Sequence, residues 1–207
     1  VAVPAKPASL DGIVSRYLNR PLSRPTARLL RHTPVTPNEV TVVSLLIAFG
    51  AGWLLYLGHN VWAAIAVHLS SVVDGVDGDL ARLTGKGSRF GAVFDAVLDR
   101  YADGAIVGGA AWWAYKHESY PAAALVGLIA LVGAFAVSYS RARMEASAGF
   151  APEGFLLGVG TRDVRLLVLT LGLLVGQAWW ALVLIAVAAH GTVLCRLAAL
   201  YRRADMQ

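Results

Sequence analysis

Beyond residue 36 the chain alternates between long apolar runs and short polar breaks. Six runs stand out, at about 38–57, 61–83, 90–115, 120–141, 164–176 and 179–200. Runs of roughly 20 apolar residues match the hydrocarbon thickness of a bilayer. Inside lipid only a helix or a closed barrel satisfies its own backbone polar groups. The expected fold class is therefore all-α, an integral membrane six-helix bundle. Thr36 is a good N-cap for the first run, with Pro37 at the first helical position. The second run is cleanly apolar only as far as Val73. Its acidic end is tolerated only if it faces other helices or a water-filled cavity.

Ahead of these runs the pattern changes. Residues 1–9 are rich in Pro and Ala and read as a lead-in or linker. Residues 10–35 mix apolar and basic positions. Ile13, Tyr17, Leu18 and Leu22 can share one face, and Arg16, Arg20 and Arg24 another. Pro21 and Pro25 interrupt any single helix there. The expectation is an N-terminal interfacial amphipathic helix, broken at the prolines and lying on an anionic leaflet; a basic linker is the alternative. Residues 36–207 make up the six-span domain.

Composition supports the membrane reading. The 207 residues are 57% hydrophobic and 15% charged, with mean hydropathy +0.60, against about 45–50% and 25% in soluble domains. The net charge is +5. Almost all Lys and Arg fall before the first run, between the second and third, between the fourth and fifth, and in the tail; only Lys116 lies on the other side. This asymmetry places both termini and the 74–99 region in the cytoplasm. It also explains the high pI without nucleic acid as a partner. Trp53, Trp62, Trp112, Trp113, Trp179 and Trp180 gather at the opposite ends of the runs, as an aromatic belt would. Gly104 and Gly108 form a small-xxx-small pair expected to pack helices closely, with a dimer contact as the alternative. Cys195 is the one cysteine, so no internal disulfide forms. A start without Met and a linker-like N-terminus fit a processed chain or part of a longer fusion.

The chemistry lies in "VVDGVDGDLARLTGKGSRFGAVFDAVLDR", residues 72–100. Asp74 and Asp77 share one helical face, and Asp95 and Asp99 another. Folding the chain at Lys86 puts Asp77 level with Asp95, and Asp74 level with Asp99 about one turn deeper. Gly78 and Gly91 leave space at the shallow end. Four bare carboxylates in an apolar setting repel one another and are costly to insert. Hard divalent cations relieve this, Mg²⁺ or Mn²⁺ with Ca²⁺ as a third choice. Two ions held by four acids suit displacement at phosphorus, and magnesium's habit of borrowing substrate phosphates points to a pyrophosphate substrate. A structural polar network and the path of a metal- or proton-coupled transporter are the alternatives. Asp79 lies off the shared face and is expected to be solvated or loop-bound. Asp103 continues the acidic face one turn deeper and is expected to support the cluster.

Asp74, Asp77, Gly78, Ala81, Arg82, Gly91, Asp95 and Asp99 are spaced D-x2-D-G-x2-A-R-x8-G-x3-D-x3-D. This pattern resembles the CDP-alcohol phosphotransferase family. The resemblance implies that an acceptor hydroxyl attacks the β-phosphorus of a CDP-linked donor and CMP leaves. It implies that Asp74, Asp77, Asp95 and Asp99 hold two Mg²⁺ or Mn²⁺ ions, with Asp99 the catalytic base. It places Gly78, Ala81 and Arg82, with Asp74 and Asp77, at the CDP site. Asn38, in "TPNEV", is a further CDP contact or simply a helix start. Arg141, Arg143, Arg162 and Arg165 are expected to form an anion pocket for the acceptor phosphate. "DGIVSRYLNRPLS", "SSVVDGVDGDLAR" and "LDRYADG" look like the membrane domain of di-myo-inositol phosphate phosphate synthases, which use CDP-inositol and inositol phosphate. Those domains often follow a cytidylyltransferase. "SYSRARMEA" also resembles phosphatidylinositol phosphate synthases, which use CDP-diacylglycerol. The expected partners are thus a CDP-linked donor, a phosphorylated polyol acceptor, membrane lipid, a fused or separate cytidylyltransferase, and a second copy, since relatives are usually homodimers.

Overall fold

A computed structural model describes residues 14–149 and 159–204. The lead-in at 1–9, residues 10–13 of the juxtamembrane segment and the "APEGFLLG" stretch lie outside the described residues. After a π-helical turn at Ser15–Asn19 come α1 (Arg20–Leu30), α2 (Pro37–Tyr56), α3 (Asn60–Thr84), α4 (Arg89–His117), α5 (Ala123–Ala148), α6 (Arg162–Leu174) and α7 (Ala178–Ala204). The described residues are thus all-α.

Helices α2 to α7 stand where the apolar runs lie, yet the expected six-span bundle needs correction. Among the described helices, three are long and apolar enough to cross a membrane, within α2, α5 and α7. The 13-residue α6 rises only about 20 Å, against a hydrocarbon core of about 30 Å. Helices α3 and α4 have the length, but their windows are diluted by His68, Ser70, Ser71 and the aspartates. The helices that carry the chemistry are the ones that fail as apolar spans.

The expected break at the prolines is also absent. Helix α1 runs unbroken through Pro25, and Pro21 falls in its first turn, where a missing N–H costs nothing. The irregular backbone sits upstream, in the π-turn. Asn19, Ser23 and Ala27 are buried, while most of the arginines on α1 and the turn before it face outward.

Local signals set the helix ends. Thr36 caps α2 in a full capping box with Glu39, and Ser88 Oγ accepts the Gly91 N–H to start α4. Helix α3 ends at Gly85, whose φ of 65° is left-handed and suits a residue without Cβ. Glu118, just past α4, accepts from Ala178 N at 2.6 Å and Trp179 N at 2.9 Å. A carboxylate there satisfies two open N–H groups of α7 and complements its dipole.

Packing between α2 and α4 depends on small residues. A Cβ on Gly109 would lie 2.8 Å from Gly52 Cα, so the two backbones touch. Gly104 and Gly108, expected to pack helices closely, have no atom within 4 Å of an added Cβ among the described residues. The main core is rich in alanine, with Leu55, Ile106, Leu169, Leu173 and Leu182 fully buried. A smaller seam of Ala27, Val40, Val76 and Leu80 joins α1, α2 and α3. Aromatic rings meet at the tryptophan-bearing ends: Trp53 stacks on Tyr56, Trp112 meets Tyr56 and Tyr115 at a tilt, and Tyr120 stacks on Trp179 at 4.5 Å.

Candidate functional site

Helices α3 and α4 form the expected hairpin, and their acids converge. Carboxylate oxygens of Asp74, Asp95 and Asp99 lie within 4.8 Å of one another. Asp77 lies within hydrogen-bonding reach of Asp95 and accepts from Thr41 Oγ1 of α2 at 2.5 Å. The layers are as the spacing requires. Asp77 meets Asp95 at one depth, and Asp74 meets Asp99 across a shared cation at the other.

That cation is Arg162, at the start of α6. Its Nη1 stands 2.9 Å from Asp74 and 2.8 Å from Asp99, and its Nε donates to Asp103 at 3.1 Å. Arg165 donates to the other oxygen of Asp103 at 3.0 Å and to the Gly160 carbonyl at 2.7 Å. Asp103 is 3% exposed and supports the cluster, as expected, by fixing two arginines. Arg100 reaches Asp99 at 3.3 Å and also donates to Ser138 on α5.

The donor set fits a hard divalent cation. Every ligand atom is a carboxylate oxygen, the set selected by Mg²⁺ and Mn²⁺. Asp95 Oδ1 is buried and has no hydrogen-bond partner among the described residues, a cost normally avoided in native interiors. Asp74, Asp95 and Asp99 could hold an ion directly, with Asp77 beside them.

The other predicted residues lie on α2, on α3 and at the start of α4. A Cβ on Gly78 would meet the Arg82 guanidinium at 3.6 Å, and one on Gly91 would press to 3.0 Å from Asn38 Oδ1. Gly78 thus makes room for the Arg82 side chain, and Gly91 lets Asn38 approach α4. Ala81 lies on the same stretch of α3. The four arginines expected to bind acceptor phosphate divide. Arg162 and Arg165 join the acidic cluster; Arg141 pairs with Glu145 at 2.9 Å, and Arg143 is exposed near the end of α5.

Asp79 contradicts its expected solvation. It is 7% exposed because α1 lies over it. Burial pushes its carboxyl up, but hydrogen bonds from Arg82, Ser23 and Arg20 outweigh this and hold it below the usual carboxylate range. Sequence reading also passed over Thr41, Arg100 and Arg196. Arg196 is 4% exposed and donates to the Val137 carbonyl and Ser140 Oγ on α5. An arginine inside an apolar helix was the available signal for it. Thr41 offered none, since threonine is ordinary in such a run.

Comparison with known proteins agrees with this geometry. Residues 34–175 match the family model described as CDP-alcohol phosphatidyltransferase. The chain is 47% identical over 194 residues to a bifunctional IPC transferase and DIPP synthase of Rubrobacter xylanophilus; the match covers 93% of this chain and 43% of that protein. It thus spans less than half the length of that relative. It is 38% identical to a phosphatidylinositol phosphate synthase of Corynebacterium glutamicum, covering 78% of this chain and 73% of the relative. The crystal structure of the Mycobacterium tuberculosis phosphatidylinositol phosphate synthase with CDP-DAG bound superposes with TM-score 0.72 at 31% identity, covering 86% of this chain and 92% of that one. A second structure of that enzyme, in complex with manganese and citrate, gives TM-score 0.73 at 30% identity, covering 87% and 89%. With the eight-position motif intact and its acids gathered on one hairpin, the chain belongs to the CDP-alcohol phosphatidyltransferase family of membrane enzymes.

Proposed function

We propose that the chain transfers a phospho-alcohol group from CDP-diacylglycerol to the hydroxyl of an inositol phosphate, releasing CMP. The observation that carries the reaction type is the convergence of Asp74, Asp95 and Asp99 beside a cluster of arginines. The donor assignment is supported by the likeness to a synthase bound to CDP-DAG, which extends over nearly the whole of both chains. An inositol phosphate acceptor is supported by two kinds of relative, a phosphatidylinositol phosphate synthase and an archaetidylinositol phosphate synthase, whose names both carry inositol phosphate in the product.

In this reading Asp74, Asp77, Asp95 and Asp99 hold divalent metal. Bound there, Mg²⁺ or Mn²⁺ would neutralise the donor pyrophosphate and stabilise charge on departing CMP. The protein's own groups do the rest. Asp99 takes the proton of the attacking hydroxyl as the new oxygen–phosphorus bond forms and the bond to CMP breaks. Asn38, Gly78, Ala81 and Arg82 surround the nucleotide, Arg82 nearest its phosphates. Arg162 and Arg165 face the acceptor phosphate, with Arg141 and Arg143 on the approach. Arg162 Nη2 is buried with no hydrogen-bond partner among the described residues, a donor ready for an anion. The Lys and Arg distribution supports a site facing the cytoplasm.

A second donor, CDP-inositol, is favoured by the 47% identity to the bifunctional relative. Purified protein, Mn²⁺ and labelled inositol phosphate, offered each donor separately, distinguish them. Phosphatidylinositol phosphate and CMP are expected from CDP-diacylglycerol. Product from CDP-inositol alone would reject the lipid donor. No CMP from either, with metal-driven solute uptake by reconstituted vesicles, would reject the enzyme reading for a transporter.

A further inference from the structure

We propose that Asp79 is a positioning residue for Arg82, and that through it the docking of α1 governs how tightly the CDP moiety is held. The inference rests on the reading above that Arg82 faces the donor phosphates. Asp79 occupies an unspecified position of the motif, between Gly78 and Ala81, so the motif assigns it no role.

Its surroundings do. Asp79 Oδ1 accepts from Arg20 Nη1 at 2.6 Å and from Arg82 Nη2 at 2.7 Å, while Oδ2 accepts from Ser23 Oγ at 2.8 Å. Arg20 and Ser23 belong to α1, Arg82 to α3. The Arg82 side chain is 35% exposed and that of Asp79 only 9%, so a buried anchor holds a partly exposed guanidinium. The anchor lays Arg82 back over the bare backbone of Gly78, where a Cβ would come within 3.6 and 3.7 Å of Nη1 and Nη2. Gly78 is the motif glycine that directly follows Asp77 in the chain.

An unheld arginine spreads over many rotamers and loses that freedom when it grips an anion. Asp79 fixes one nitrogen in advance and leaves other donors for phosphate. A lone carboxylate near a bound pyrophosphate would repel it. Here the carboxylate is engaged by the Arg20 and Arg82 guanidinium groups and by the Ser23 hydroxyl, so its charge is not a bare one. Because Arg20 and Ser23 are two of the three side chains that donate to Asp79, the anchor is complete only with α1 in place. Asn19 Nδ2 donating to Ser71 Oγ at 3.0 Å and the seam of Ala27, Val76 and Leu80 keep it there.

The test is CDP binding in the presence of Mn²⁺, by calorimetry on the full chain in detergent. Asp79→Asn is expected to weaken CDP about tenfold, the scale of one charge-assisted contact. Asp79→Glu, which keeps the charge, should retain more affinity than Asp79→Asn. Arg82→Ala should also weaken CDP, and Asp79→Asn added to it should do no further harm. Losses that multiply in the double variant, or unchanged affinity in Asp79→Asn, overturn the proposal and leave Asp79 a clip for α1. Should Asp79→Asn fail to fold, Arg20→Ala with Ser23→Ala replaces it, with the same expectation in the two Arg82 backgrounds. Failure of the unaltered chain to bind CDP with Mn²⁺ would overturn the donor reading itself, a different result from loss of the Asp79 effect alone.

Discussion

Arg162 Nη1 stands 2.8 Å from Asp99 Oδ1, so the proposed base is paired with a guanidinium from α6. The same nitrogen lies 2.9 Å from Asp74. One arginine thus supplies positive charge at the place where divalent metal is proposed to sit. Breaking a buried ion pair from one side leaves uncompensated charge and costs about 3–5 kcal/mol. Metal-free Arg162→Ala is therefore expected to melt roughly 6–20 °C below the unaltered chain. Adding Mn²⁺ should recover most of that loss. An unchanged melting temperature without metal would show that Arg162 does not balance the cluster.

Asp99→Asn should keep the packing and lose the proton acceptor. Transfer is expected to fall by at least about a hundredfold, the lower range for losing a general base. Mn²⁺ binding, followed by calorimetry, should persist because Asp74, Asp77 and Asp95 remain. Near-normal turnover in this variant would remove Asp99 from the base role.

Thr41 reaches from α2 to Asp77 at 2.5 Å and orients that carboxylate. Groups that hold metal ligands in place typically contribute about 10–100-fold in affinity or activity. Thr41→Val, nearly the same shape, is expected to weaken Mn²⁺ binding about tenfold. Thr41→Ser should restore it. Equal Mn²⁺ affinity in the valine variant would show that Asp77 is positioned without it.

The Asp79 anchor has a pH signature. Its folded carboxyl titrates below the usual carboxylate range, held there by Arg82, Ser23 and Arg20 against the opposing effect of burial. A lowered carboxylate contributes stability that is present above its unfolded pKa of about 3.9 and is lost as pH falls through the lower folded value. The protection of α1 amides, corrected for the intrinsic pH dependence of exchange, should therefore stay constant from pH 7 to about 5 and fall below about 4. In Asp79→Asn the fall should be missing, with α1 less protected at about pH 7 and the two proteins converging at low pH. A pH profile identical in both proteins would detach Asp79 from the docking of α1.

The order of helices and the depth of the acids were written in the chain itself. Helical period and turn position place Asp77 level with Asp95 and Asp74 level with Asp99, because rise per residue is a local property. Thr36, Pro37, Ser88 and Gly85 mark helix ends for equally local reasons. Tertiary structure decided what lies beside each acid. Arg162 is 63 residues beyond Asp99, and no local rule sends its side chain between Asp74 and Asp99. Asp79 looked solvated on α3 alone and is buried only because α1 folds across it. Gly104 and Gly108 had the right spacing for close packing, yet the rotation of α4 against α2 chose Gly109 and Gly52. Local geometry follows from residues a turn apart; burial and pairing follow from which helices meet, and that is a property of the assembled bundle.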